Sequence, residues 1–204
     1  MDGSRSAPDV GEQHRNVRER YRTVAGAQDP QALFRYPVGR ESAIALGYEA
    51  GWIEAIPAAV VERFVGVGNP LGVRRPEPGA RVLDLGCGCG VDVLVAARLV
   101  GSEGKAVGLD LSPEMIAFPR AMASDDVPEN ASFVEGAVEH LPFDDASFDM
   151  VTSNGVLNLA TDKDRVFREA ARVLRPGGTF VVADLLVIDT IPEDVLSSMD
   201  AWST

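Results

Sequence analysis

From residue 79 onward, short apolar runs alternate with longer amphipathic stretches. The runs at 81–85, 106–109, 132–135, 148–153 and 180–183 with its flanks have the length and composition of buried strands. Between them, 91–100 reads as an apolar helix, and Ser112-Pro113-Glu114 opens another, with an N-cap serine and a proline in its first position. Pro119 falls inside that helix and predicts a shortened or kinked one. Residues 162–174 predict a third, with Val166, Phe167, Ala170, Val173 and Leu174 on one stripe and Pro176-Gly177-Gly178 as its stop. Such alternation predicts an α/β fold: a mostly parallel sheet, helices on both faces, right-handed crossovers.

Ahead of this unit the period is helical. Residues 16–25 place Val17, Tyr21 and Val24 on one face, 41–53 and 57–65 continue as helices, and Gly66-Val67-Gly68-Asn69-Pro70 breaks the pattern. The organisation expected is a disordered tail over 1–15, a helical N-terminal cap over 16–78 and the α/β domain over 79–204, with no internal repeat.

Charge narrows the partners. With 31 acidic against 19 basic residues, the formal net charge of -12 argues against nucleic acid or an anionic membrane. The polar first sixteen residues lack a signal-peptide core, and no apolar run approaches a membrane span, so the expected compartment is the cytoplasm. Cys87 and Cys89, one residue apart, imply no disulfide framework.

The chemistry concentrates in Asp84-Leu85-Gly86-Cys87-Gly88-Cys89-Gly90, where the first strand turns into the first helix. The glycines let the backbone turn tightly and come close to a ligand. Asp110 ends the second strand, where a carboxylate can accept two ribose hydroxyls. In open parallel sheets ligands sit outside the carboxyl ends of the strands, so these loops converge. A nicotinamide or flavin dinucleotide would call for G-x-G-x-x-G and a helix N-terminus aimed at a pyrophosphate. Here the turn reads G-x-G-x-G, with an acid two residues ahead of the first glycine. An acid plus backbone amides suits the ammonium and carboxylate of S-adenosylmethionine (SAM), and the dinucleotide stays as the rival reading.

Ala45-Leu46-Gly47-Tyr48, Gly66 to Pro70, Val82 to Gly90, Gly108 to Ile116, Ser153 to Leu159 and Asp162-Lys163 follow one another in an order similar to that of the arsenite methyltransferases. The chain thus resembles a class I SAM-dependent methyltransferase with a Rossmann-like fold. The resemblance implies that Asp84, Gly86 and Gly88 hold the methionine part of SAM, with Cys87 and Gly90 also binding the cofactor, and that Asp110 and Leu111 hold its ribose and adenine. It puts Val138 and Glu139 at the adenine and Asn154 at the sulfonium end. Such enzymes normally add two strands after the fifth. Here about twenty residues follow it, with 191–203 reading as helical, so the chain is expected to be truncated or to cover its fifth-strand edge in a homo-oligomer.

The acceptor side departs from the family. Arsenite methyltransferases bind As(III) through cysteine thiolates, soft ligands for a soft metalloid. This chain has Val67 and Gly155 at two of those cysteine positions, stops at Thr204 before the next, and lacks the cysteine-rich N-terminal stretch. Cys87 and Cys89 are expected to pack as small apolar residues rather than bind metal, and His140 to be structural or exposed. Tyr48, Trp52 and Trp202 are candidates for either core or acceptor pocket. The acceptor is expected to be a small molecule, arsenite or another, and no catalytic residue is assigned. A degenerate SAM-binding module without turnover is the alternative.

Overall fold

The structure, a computed structural model, describes residues 10–122 and 127–186. Five strands form one sheet: β1 (Arg81–Leu85), β2 (Lys105–Asp110), β3 (Ala131–Glu135), β4 (Phe148–Asn154) and β5 (Leu174–Ala183). Their spatial order is β3-β2-β1-β4-β5, and every pairing is parallel. The chain therefore starts in the middle, winds outward to β3, then crosses back to β4, which leaves a switch point between β1 and β4.

Central strands of a parallel sheet are covered on both faces and become apolar throughout. In β1, Val82 to Leu85 are all buried. Val82 faces a layer that includes α6 (Val91–Val100) and α7 (Pro113–Arg120), whereas Leu83 and Leu85 face α8 (Lys163–Val173). Eight of the ten α6 residues are buried, so α6 is a core element, and Asp92 is the one acid among those eight. Ser112 caps α7 by accepting from the Met115 amide, and the helix ends one residue beyond Pro119. The shortening follows from the proline's missing donor.

Several boundaries depart from the sequence expectation. The first helix, α1, runs Val10–Gly26, so residues 10–15 are helical rather than tail, while 1–9 lie outside the described residues. The stretch 41–53 splits into α2 (Gly39–Ala45) and α3 (Ala50–Glu54), because Gly47 adopts a left-handed φ of 89° between them. The expected helix 57–65 contracts to α4 (Ala58–Val61), and Pro70–Val73 forms α5, capped by Asn69. In α8 only Val166, Ala170 and Val173 of the expected stripe are buried, and Phe167 is half exposed against Phe180. Pro176-Gly177-Gly178 does not stop α8. The chain passes at Leu174 directly into β5, and those residues lie in an irregular start of that strand.

Among the described residues β5 pairs only with β4, leaving its outer edge open beside exposed Val182, Leu185 and Leu186. The expected helix at 191–203, Trp202 included, lies outside the described residues. No described helix is long and apolar enough to cross a membrane.

Candidate functional site

The carboxyl ends of β1, β2 and β4 open onto one cleft. All ten residues expected at a cofactor line it: Asp84, Gly86, Cys87, Gly88, Gly90, Asp110, Leu111, Val138, Glu139 and Asn154.

The glycine bend after β1 is stitched to β2. The Gly86 and Cys87 amides donate to the Leu109 carbonyl at 2.7 and 3.0 Å, and the Gly88 amide donates to Asp110 Oδ2 at 2.8 Å. Gly86, Gly88 and Gly90 all have left-handed φ, at 68°, 53° and 92°. Their surroundings differ. A Cβ on Gly86 would stand 2.3 Å from Val156 Cγ2, and one on Gly90 would stand 2.5 Å from Phe133 Cε1. A Cβ on Gly88 would meet nothing within 4 Å, so this position is the open part of the bend.

Three aspartates surround that opening. Asp84, at the end of β1, is buried and accepts from Thr152 Oγ1 at 2.8 Å. Burial first, then the negative charges of Asp92 and Asp110, push its carboxyl well above the usual range. Asp110 takes the amides of Gly88 and Ser112, both at 2.8 Å. Asp92, in the first turn of α6, accepts from Tyr48 Oη at 2.5 Å and from Asn154 Nδ2 at 3.1 Å. Sequence reading missed Asp92 and settled Tyr48 only in part. Tyr48 is buried, with its hydroxyl behind the cleft rather than in an acceptor pocket. Trp52 is half buried under the Arg75 guanidinium, 4.8 Å from its ring.

Asn154 proves to be a clasp. Its Oδ1 accepts from the Val67 and Gly68 amides at 2.8 and 3.1 Å, while Nδ2 donates to the Gly68 carbonyl and to Tyr48 Oη. The loop 66–68 is thereby held against β4, and Val67 Cγ1 lies 3.4 Å from where a Gly155 Cβ would be. The two positions that depart from the arsenite pattern thus touch each other.

Glu139 is buried, which raises its carboxyl. Bonds from the Thr161 hydroxyl (2.8 Å) and amide (3.0 Å) outweigh that and hold it below its usual value, as an anion. His14 Nε2 lies 3.5 Å away. His14 belongs to α1, whose residues His14, Val17 and Tyr21 also line the cleft. Gln13 donates to the Leu159 carbonyl and Arg18 to the Leu111 carbonyl, so α1 spans the loops after β2, β3 and β4. The other histidine, His140, is exposed and outside the cleft.

Both cysteines are free and buried. Burial, followed by the charges of Asp110 and Asp84, pushes the Cys87 thiol well up. Burial pushes Cys89 up to about 12, and its Sγ lies 3.2 Å from Met115 Sδ. Neither is a thiolate at neutral pH. Among the described residues, no group of three or more His, Cys, Asp or Glu side chains is arranged to hold a metal ion.

Comparison with known proteins supplies the remaining findings. A methyltransferase domain family matches residues 76–204. The chain is 40% identical over 156 residues to an arsenite methyltransferase of Halobacterium salinarum, covering 76% of this chain and 40% of that protein. It is 38% identical over 109 residues to a ubiquinone/menaquinone biosynthesis C-methyltransferase of Vibrio campbellii, covering 53% of this chain and 42% of that one. Among solved structures it is similar to an arsenic(III) S-adenosylmethionine methyltransferase from Chlamydomonas reinhardtii. The TM-score there is 0.63 and the identity 38%, over 79% of this chain and 54% of that chain. The chain spans about two fifths of the length of the curated relatives it matches.

Proposed function

We propose a function from one premise: the chain belongs to the methyltransferase domain family, and its fold is the Rossmann-like one of class I SAM-dependent members. The reading is SAM-dependent methyl transfer to a small acceptor. Its main support is electrostatic. The glycine bend opens between Asp84, Asp92 and Asp110, and the basic residues lining the cleft are Arg63 and His14. The Arg63 guanidinium is already engaged with the carbonyls of Ala25, Ala59 and Ala27. A pyrophosphate would meet like charge there, whereas a sulfonium and an ammonium would meet opposite charge. That speaks for SAM over a dinucleotide.

When bound, SAM would supply an electrophilic methyl group. The chain's part is then positioning and exclusion of water, since an in-line displacement gains mainly from orientation. Asp84 and the Gly86–Gly90 bend would hold the methionine end. Asp110 and Leu111 would hold the ribose and adenine, with Val138 and Glu139 beside them. Asn154 keeps the loop 66–68 on β4, and α1 lies across the opening.

For the acceptor, the chain's two cysteines are protonated, buried and part of the bend, which speaks against arsenite held by thiolates within these residues. The acceptor we propose is a small molecule, arsenite or another. Free thiols accord with a reducing, cytoplasmic setting, and the acidic charge speaks against nucleic acid and anionic membrane partners. A second copy pairing along the edge of β5 that is unpaired among the described residues is the oligomer we would look for. Calorimetric titration with SAM, S-adenosylhomocysteine and NAD tests the cofactor. Formation of S-adenosylhomocysteine with arsenite or with small organic nucleophiles then tests the acceptor. Preference for NAD in a folded sample would refute the reading, and SAM binding without turnover on any acceptor would leave a binding module.

A further inference from the structure

Thr152 and Asn154 are two residues apart on β4, so their side chains leave the same face of the strand, about 7 Å apart. Each donates to a different buried aspartate: Thr152 Oγ1 to Asp84 and Asn154 Nδ2 to Asp92. Both aspartates line the cleft, and among the described residues no lysine or arginine forms an ion pair with either. Two anions in one poorly hydrated place repel, and the structure supplies them unequally. Asp92 has two donors, Tyr48 Oη and Asn154 Nδ2, and stands in the first turn of α6, where the helix dipole favours negative charge. Asp84 has Thr152 alone. Facing Asp84 are Asp92 from α6, Asp110 from the end of β2, Thr152 from β4, the Cys87 thiol of the bend and the Tyr48 hydroxyl. Facing Asp92 are Tyr48, Asn154 and Asp84.

We propose that Asp84 and Asp92 act as a pair holding one proton between them in the free protein, carried on Asp84, and that a cationic ligand entering the cleft displaces that proton to solvent. The proposal rests on the SAM reading above. The exchange balances: the proton leaves the Asp84 carboxyl for the buffer, and the positive charge of the ligand takes its place beside the carboxylate. Asp92 acts through Asp84 and Tyr48 acts through Asp92, so both are positioning residues. Nothing in the sequence motifs assigns either one.

The sign follows from linkage. Asp84 is raised in the free protein by burial and by its acidic neighbours, and a bound cation lowers it. Between those two values, binding releases a proton and affinity rises with pH, by up to about tenfold per unit. Above the free-state value the release stops and affinity levels off.

The test is calorimetric titration of the full chain with SAM, in buffers of low and high ionisation enthalpy, over roughly pH 5 to 8. The wild type should show a buffer-dependent enthalpy that reports proton release, approaching about one proton within the window. Asp92→Asn removes the repelling charge but not the burial, so Asp84 should ionise at lower pH: SAM should still bind, more weakly, and the release should shift to lower pH than in the wild type. Tyr48→Phe deprives the Asp92 anion of a donor without removing its charge, so the proton release on binding should persist. A packing defect alone would lower stability and affinity without changing the buffer dependence.

The outcomes separate. SAM binding with no proton release in the wild type at any pH overturns the proposal and leaves the methyltransferase reading intact. Equal release at every pH in Asp92→Asn also overturns it, by moving the source to another group such as Asp110. No SAM binding by folded wild-type protein overturns both.

Discussion

Adding one methyl group to the glycine bend at Gly88 or at Gly90 should separate its two physical tasks, approach to a ligand and packing against the sheet. Both residues have left-handed φ, 53° and 92°, so alanine at either costs about 1–2 kcal/mol of backbone strain. At Gly90 the new Cβ would also stand 2.5 Å from Cε1 and 2.8 Å from Cζ of Phe133, a ring that is itself buried on β3. Overpacking of that kind adds about 1–3 kcal/mol, for a total of about 2–5 kcal/mol. At Gly88 the Cβ meets open space, so strain is the whole stability cost, but the methyl group sits where the cleft must admit the cofactor. Gly90→Ala should therefore lower Tm by about 4–20 °C, and Gly88→Ala by about 2–8 °C. Gly88→Ala should in turn weaken S-adenosylhomocysteine binding at least about tenfold, a free-energy change of about 1.4 kcal/mol. Thermal unfolding and calorimetric titration on the same preparations measure both quantities. Equal stability loss in the two variants, or undiminished binding by Gly88→Ala, would refute the division of tasks.

Three other substitutions test neighbouring parts of the argument. Asn154→Ala strips partners from the Val67 and Gly68 amides, Tyr48 and Asp92, and should cost about 2–4 kcal/mol in urea unfolding, with the loop 66–68 opening to amide exchange; unchanged exchange there would count against the clasp. Glu169 bonds Arg172 through both oxygens and takes the Leu141 amide, while Arg172 holds the carbonyls of Leu141 and Phe143, so together they fix the loop that follows Glu139. The Arg172 hydrogen bonds lead in lowering the Glu169 carboxyl to about 2, so its contribution to stability is complete above its unfolded value of about 4.3 and is lost as pH falls through about 2. Glu169→Gln should be less stable than wild type at neutral pH and indistinguishable from it near pH 2; a gap independent of pH would contradict this. Cys87 and Cys89, buried and protonated, should resist an aromatic disulfide reagent until the protein unfolds, and arsenite should not protect them; rapid labelling in the native state would overturn their assignment as packing residues.

The central part of the fold was legible because a buried parallel strand and its helix leave strong local signals. Val82 to Leu85, the glycines and Asp110 are each placed by short-range pattern, and they meet because parallel strands end at the same edge. Asp92 was not legible. It is one acid among the buried residues of α6, and a carboxylate in the first helical turn reads as an ordinary helix start until Tyr48 and Asn154, from distant segments, come against it. The place of α1 over the cleft was hidden for the same reason. The face of Val17, Tyr21 and Val24 could be read, but not what it covers, and His14 lay in the stretch assigned to the tail. The cap helices were misjudged where Gly47 breaks the backbone, and Phe167 because a helical stripe predicts a face, not how far the neighbouring sheet extends over it.

The contact between Val67 and Gly155 has an evolutionary corollary. The donor side of this scaffold depends on main-chain turns and strand tips, which tolerate little change. Positions 67 and 155 sit on two loops already pinned together by Asn154, and Gly155 holds a left-handed φ of 75°, so a side chain at 155 would meet Val67 and strain the backbone at once. Change at either position is therefore coupled to the other, because the junction of the two loops must absorb it before the strands beneath are reached.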